Sequence, residues 1–280
     1  MVQDMQGKKN VMLMVPLLYQ GGQERICALT ARLLKECCNV CLVVFSTKDM
    51  IYDVSGVELI DLNMGSVSGF LGKICNVFRR IKAVKKIKKE KNIQISYSFG
   101  PTANLVNGLS RVNDKIWLGV RGYDALPDKR EVRGIYRRAD KVICCSKVMA
   151  EDVGHLLGTD DVEYLYNPCE LERFRMLSEE PLQECHKAFF ETDAPVIISV
   201  GKAEDRKGFW HQVKALALIQ KEIPNTRMVF VGDGDFTECE KLAENLKIRE
   251  SILFAGVQKN PFSYLKKSSL YLMTSSAEGF

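Results

Sequence analysis

The sequence predicts an α/β protein of two doubly wound parallel sheets. Short runs of apolar and β-branched residues recur along the chain, stretches with helical spacing separate them, and the alternation lapses once, around 170–192, before resuming. Continuous apolar strands are buried on both faces, the pattern of parallel strands covered by crossover helices. At 280 residues the chain also exceeds the ~100–200 residues usual for one domain, which favours two.

The first series places strands at 11–15, 40–45, 58–62, 93–97, 115–120, 141–145 and 162–166. Helical spacing lies between them, as in Ile26, Leu29, Leu33 and Leu34, or Val148 and Val153 with Leu156 and Leu157. After "YNPCELERF" the pattern gives way to a polar stretch with Pro181, and "APVIISVGK" restarts it. The second series has strands at 196–200, 227–231, 251–255 and 270–273, the last read as buried, with helices near 207–222, 236–247 and 261–267. The expected organisation is therefore a first domain over 1–169, a linker over 170–192 and a second domain over 193–280. That second domain is expected to be incomplete, with four strands against about seven in the first.

Composition narrows the function. The net charge of +5 is modest, and its excess is local: from Lys73 to Lys91 there are nine Lys or Arg residues against one acid, Glu90. Ten cysteines are too dilute for a disulfide scaffold and suit a reducing cytoplasm. Cys27, Cys41, Cys144 and Cys145 fall in apolar patterns, and the Cys38–Cys41 pair has no second pair to complete a zinc site. The run "VMLMVPLLY" is nine residues, short of the ~20 a membrane span requires.

Ligands of an open parallel sheet bind beyond the carboxyl ends of its strands. The first strand is followed by "PLLYQGGQER", where Gly21 and Gly22 open a helix whose N-terminal amides suit an anion; an ordinary strand-to-helix turn reads the same way. In "SVGKAEDRKGF", Gly201, Lys202, Lys207 and Gly208 put two ammonium groups and a helix start around one point, a grouping suited to a diphosphate, although loop lysines are commonly just solvated. "VFVGDGDF" adds Gly232 and Gly234, and "FAGVQKNPF" and "SSAEGF" follow. No GxGxxG is present, which disfavours a dinucleotide-dependent oxidoreductase.

The order of "GGQER", "YNPCELERF", "SVGKAEDRKG", "VGDGD", "FAG" and "SSAEGF" resembles the retaining family-4 glycosyltransferases of GT-B architecture, with two Rossmann-like domains, over essentially the whole chain. The resemblance implies transfer of a sugar from a nucleotide-sugar, bound mainly by the second domain, to an acceptor bound mainly by the first. It implies that Lys202, where many relatives have arginine, and Lys207 hold the donor diphosphate and stabilise it as it leaves. Gly21 and Gly22 then match the first-domain loop facing that diphosphate, and Gly201, Gly232 and Gly234 line the donor side. Glu278, with Gly279 and Phe280 beside it, matches the first Glu of a motif whose second Glu, seven residues on, holds the nucleotide ribose and has no counterpart here. The chain is therefore expected to be truncated, whether as a shortened product, a split or frameshifted gene, or an incompletely recorded sequence. Arg121 falls where many relatives place a catalytic or acceptor-facing basic residue, and a salt-bridged structural Arg fits equally; Asn167 and Pro168 match a hinge segment. No cofactor or metal is implied, since the lysines stand where other glycosyltransferases use a divalent cation, and His155, His186 and His211 show no ligand spacing. The departing phosphate can itself accept the acceptor's proton, so no paired carboxylate is needed.

Between Lys73 and Lys91, Ile74, Val77, Phe78, Ile81, Val84 and Ile87 form one stripe, with Arg79, Arg80, Lys82, Lys85, Lys86 and Lys89 largely elsewhere. Such a helix either shows a solvated basic face or attaches to an anionic membrane, which places the protein in the cytoplasm, peripheral on the inner face of the plasma membrane. Nucleic acid is not expected, because aromatic interleaving is lacking. The leading expectation is a hexosyltransferase making a lipid-linked or polysaccharide glycan; the alternative is a catalytically inactive remnant that binds membrane or a partner.

Overall fold

The computed structural model describes residues 7–19, 21–122, 130–276 and 278. The chain divides into two compact units after Pro168. In the first, β1 (Asn10–Val15), β2 (Asn39–Val44), β3 (Glu58–Asp61), β4 (Ile95–Phe99), β5 (Lys115–Val120), β6 (Lys141–Cys144) and β7 (Val162–Tyr164) form one parallel sheet of order β3-β2-β1-β4-β5-β6-β7. The connecting helices are α1 (Gly22–Leu34), α2 (Phe70–Glu90), α3 (Pro101–Leu109), α4 (Arg130–Tyr136) and α5 (Lys147–Leu157).

Double winding is legible within β1 itself. Val11, Leu13 and Val15 pack with Cys27, Ala28 and Ala31 of α1. Met12 and Met14 pack on the other face with Ile81 and Val84 of α2 and Ala103 and Val106 of α3. Successive side chains of a strand point to opposite faces, so a run apolar at every position needs a helical layer on each side.

The second unit contains α6 (Leu171–Ser178), α7 (Glu184–Phe190), β8 (Val196–Val200), α8 (Phe209–Glu222), β9 (Arg227–Val231), α9 (Thr237–Asn245), β10 (Ile252–Gly256), α10 (Phe262–Lys267) and β11 (Leu270–Tyr271). Its parallel sheet has the order β10-β9-β8-β11. One face carries Ile197, Met228 and Phe230 against α8 and α9; the other carries Val196, Ile198 and Val229 against Tyr264 of α10.

The stretch expected as a linker is folded. Phe174 of α6 stacks on Phe262 of α10 with ring centroids 4.3 Å apart, and His186 of α7 hydrogen-bonds the Tyr264 hydroxyl through Nδ1 at 2.8 Å. Aromatic residues scattered among charges supply this anchoring without the regular spacing that announces a helix.

Three expectations are corrected. The 270–273 strand is not buried: Leu270 and Met273 are each 55% exposed, because β11 pairs only with β8 and no described strand flanks its other edge. The strand placed at 93–97 begins at Ile95, because α2 ends in a Schellman turn that uses Ile93: Asn92 is left-handed (φ 49°), its N–H donates to Lys89, and the Ile93 N–H donates to Lys88. On α2, Phe78 faces solvent and Ile74 is 38% exposed, whereas Arg80 is buried, its guanidinium over the Phe45 ring and bonded to the Met64 and Gly65 carbonyls. Lys88 is buried too, against Asp114.

Candidate functional site

Both sheets reverse their strand order at a switch point, between β1 and β4 in the first unit and between β8 and β11 in the second. Loops leaving the two strands in opposite directions open a crevice there. In the second unit those loops are 201–208 and 272–278.

The loop after β8 is braced by its neighbour. Gly201 N–H donates to Val231 at 2.9 Å, Ala203 N–H donates to Asp233 at 2.7 Å, and Ala203 bridges Gly234. The approach is so close that a Cβ on Gly232 would sit 1.8 Å from the Gly201 carbonyl oxygen. Glycine there is a packing requirement. The chain then makes one 3₁₀ turn, Asp205–Lys207, and enters α8 through Gly208 in the left-handed region (φ 64°). A Cβ on Gly208 would meet the Thr274 carbonyl oxygen at 2.8 Å.

The loop after β11 is tied onto this turn. Ser276 N–H donates to the Arg206 carbonyl at 2.8 Å, and the Thr274 hydroxyl lies 3.0 Å from the carbonyls of both Lys207 and Gly208. Gln212, buried in the first turn of α8, donates to Thr274 Oγ1 at 3.0 Å and to Ser199 Oγ at 3.2 Å. Thr274 and Gln212 were not singled out from the sequence. Their only signal was polarity inside an apolar strand end and a helix stripe.

These ties bring the Lys207 ammonium onto the Glu278 carboxylate. Burial pushes the Glu278 carboxyl up, but the hydrogen bond from Lys207 and the charges of Lys207 and Arg206 outweigh it and hold the group below its ordinary value. The Lys207 side chain runs past Gly201, 3.9 Å from where a Cβ there would lie. Lys202 is more exposed and pairs with Glu204 at 3.4 Å; Glu204 also accepts from Arg206 Nε at 2.9 Å. The two lysines expected around one point are thus each held by a separate carboxylate. Lys202, Arg206 and Lys207 stand against Glu204, Asp205 and Glu278, a charge-balanced loop whose cations an anion of higher charge density can draw away. Gly279 and Phe280 lie outside the described residues.

In the first unit Gly21 is extended at the start of α1, with Gly22 as its first residue. The Gly21 N–H donates to the Tyr52 hydroxyl at 3.3 Å, and that hydroxyl donates to the Gly21 carbonyl at 3.0 Å. The Glu24 carboxylate folds back over Gly21: a Cβ there would be 1.9 Å from Glu24 Oε2. An acid of the chain's own therefore complements this helix start. Arg121, just beyond β5, bonds Asn167 Oδ1 at 2.7 Å and the Tyr97 hydroxyl at 2.6 Å, with its guanidinium carbon 5.2 Å from the Phe99 ring centre. These contacts tie the segment around Asn167 to the sheet. Burial, opposed by Arg121, raises the Tyr97 hydroxyl to about 12, so it remains a donor and acceptor at neutral pH. Among the described residues, no group of three or more His, Cys, Asp or Glu is arranged to hold a metal ion. No described helix is long and apolar enough to cross a membrane.

Residues 183–280 match the family described as Glycosyl transferases group 1. The solved structure of Alr3699/HepE from Anabaena, in complex with UDP and glucose, superposes with a TM-score of 0.72 at 15% identity, covering 97% of this chain and 76% of that one. The fold is GT-B. Among curated proteins, the GT-B chain is 31% identical over 156 residues to the lipopolysaccharide core biosynthesis glycosyltransferase LpsD of Rhizobium meliloti, covering 55% of this chain and 42% of that protein. It is 23% identical over 281 residues to the N-acetylgalactosamine-N,N'-diacetylbacillosaminyl-diphospho-undecaprenol 4-alpha-N-acetylgalactosaminyltransferase of Campylobacter jejuni, covering 94% of this chain and 73% of that one. The matches to the first curated relatives span less than half of those proteins, 28% and 42%.

Proposed function

We propose that the chain is a glycosyltransferase that moves a hexose or N-acetylhexosamine from a UDP- or GDP-sugar to a lipid-linked or polysaccharide acceptor, with retention at the anomeric carbon, in cell-surface glycan biosynthesis. The observation that carries this reading is the meeting of Lys207 and Glu278 at the switch point of the second sheet, where a nucleotide-sugar's charged diphosphate and its sugar lie side by side. Lys207 and Lys202 hold the diphosphate, Glu278 faces the sugar, and the departing phosphate takes the acceptor's proton. Two charge-assisted bonds that strengthen as the diphosphate leaves, at roughly 1.5–3 kcal/mol each, correspond to about 10²–10⁴ in rate. On this reading the ammonium groups do the work a divalent cation does elsewhere, so chelators leave donor binding unchanged. The relatives' names, which mention lipopolysaccharide core and a diphospho-undecaprenol acceptor, support a membrane-proximal acceptor. The cations along α2 support attachment of the protein to an anionic inner membrane face.

Titration of UDP- and GDP-hexoses into the wild-type chain and the K202A/K207A variant tests the reading. Binding of one donor class, reduced about 10²-fold in the variant, is the expected result. Equal affinity of both proteins overturns it.

A further inference from the structure

A cavity of about 530 Å³ opens in the first unit, between the N-terminal half of α2 and the loops that leave β1 and β2. Its wall is largely apolar, with Tyr19, Phe45, Val67 and Val77, and Lys48 and Lys73 reach its rim. Arg80 also lines it, but its guanidinium is engaged by the Met64 and Gly65 carbonyls. Neither the Lys48 nor the Lys73 ammonium has an ion pair or hydrogen bond among the described residues, and Asp49 is the acid that lines the rim with them. The cavity therefore combines hydrocarbon walls with two lysines whose ammonium groups are unpaired among the described residues.

The surface beside it continues the same chemistry. Phe70, at the start of α2, is 77% exposed. Phe70 lies one turn before Lys73 on the face that lines the cavity, so apolar surface runs from solvent past an ammonium group into the pocket. An exposed aromatic side chain at the edge of a pocket, with the part-exposed Val67 in its wall, marks a ligand or interaction surface.

We infer that this cavity binds an amphiphile with phosphate next to hydrocarbon, its phosphate on Lys48 and Lys73 and its hydrocarbon along Val67 and Phe70. The inference rests on the transferase reading for its meaning: the cavity receives the phosphate–lipid junction of a lipid-linked acceptor, and so narrows the acceptor class to lipid phosphates and diphosphates. Neither half of the ligand alone satisfies both surfaces.

Farnesyl diphosphate below its aggregation concentration, farnesol and inorganic diphosphate separate these contributions by calorimetry on the full chain. Farnesyl diphosphate is expected to bind at least tenfold more tightly than either single-feature probe. K48A/K73A should weaken it about 10–100-fold and V67S/F70S about tenfold, with UDP-hexose binding intact in both variants as the control for folding. Saturating UDP should not displace it. The inference is overturned if farnesyl diphosphate does not bind, if inorganic diphosphate binds as well, if UDP displaces it, or if neither pair of substitutions changes its affinity. UDP-hexose binding without farnesyl diphosphate binding defeats this inference alone, whereas the reverse defeats the transferase reading.

Discussion

The Lys207 ammonium hydrogen-bonds the Glu278 carboxylate, although 71 residues separate them in the chain. They come from the loops after β8 and β11, neighbouring strands in the second sheet. In the absence of ligand the cation assigned to the donor diphosphate is thus already neutralised.

On the proposed function, a bound diphosphate takes Lys207 away from Glu278, which predicts opposite effects on binding and on transfer. E278Q removes the competing charge and keeps the shape, so UDP affinity should rise roughly two- to fivefold, the upper range of an ion pair that solvent still reaches. Sugar transfer should fall, because the proposed function sets Glu278 against the donor sugar. Calorimetry with UDP and product formation from the UDP-sugar check the two halves. The pair should also outlast ordinary carboxylates in acid: the Glu278 value is lowered in the folded state, so its contribution is present above the unfolded carboxyl value and lost only as pH falls through the lower folded one.

Gly232 and Gly201 predict a contrast between two identical substitutions. The added methyl of G232A meets the Gly201 carbonyl at 1.8 Å and forces the β8 and β9 loops apart. Overpacking of this kind costs about 1–3 kcal/mol, which for a unit of this size lowers its melting temperature by roughly 5–15 °C. G201A meets the Phe209 ring at an ordinary 3.5 Å and should leave melting nearly unchanged. Scanning calorimetry of both variants, with UDP titration, reads the difference.

Lys88 and Asp114 form a fully buried ion pair at 2.8 Å, completed by Ser96 on Asp114 and by Asn107 on Lys88. Burial lowers the Lys88 value to about 8, and Asp114, which burial alone would raise, is held low by Lys88 and its hydrogen bonds. Between about pH 8 and the unfolded value near 10.4 the unfolded chain binds the proton that the folded chain has released, so unfolding free energy rises with pH through this window. K88M/D114L should remove that slope while keeping or raising stability at neutral pH. D114N should cost about 3–5 kcal/mol by stranding the ammonium. Urea melts across pH 7–10.5 check all three.

Most of the eleven strands among the described residues were legible as short apolar runs, and inside the sheets their alternate residues feed two cores, as Leu13 and Met14 do. The donor-side residues were legible because glycines and lysines recur after strand ends. Thr274 and Gln212 were not, since a hydroxyl and an amide that brace loops carry no spacing signal. Arg80 and Lys88 were misread or passed over for a related reason: on a helix crowded with cations, charge count hides which cation the fold buries. Only the carbonyls of Met64 and Gly65 and the carboxylate of Asp114, distant in sequence, decide that.

That distinction sets the last prediction. Lys82, Lys85 and Lys89, with Arg79, line an open groove on the outer side of α2, whereas Arg80 and Lys88 are buried. A surface lysine contributes about 1 kcal/mol to attraction by an anionic bilayer, so K82E/K85E/K89E should weaken binding to phosphatidylglycerol vesicles by at least 10²-fold. The thermal melt should be unchanged, because none of the three side chains is buried. Raising the salt from 0.05 to 0.5 M should weaken the wild-type protein too, since screening acts on exposed charges. Vesicle sedimentation measures both effects. If phosphatidylcholine vesicles bind the protein equally well, or if the triple variant still sediments, the basic face of α2 is only solvated and membrane attachment through it is wrong.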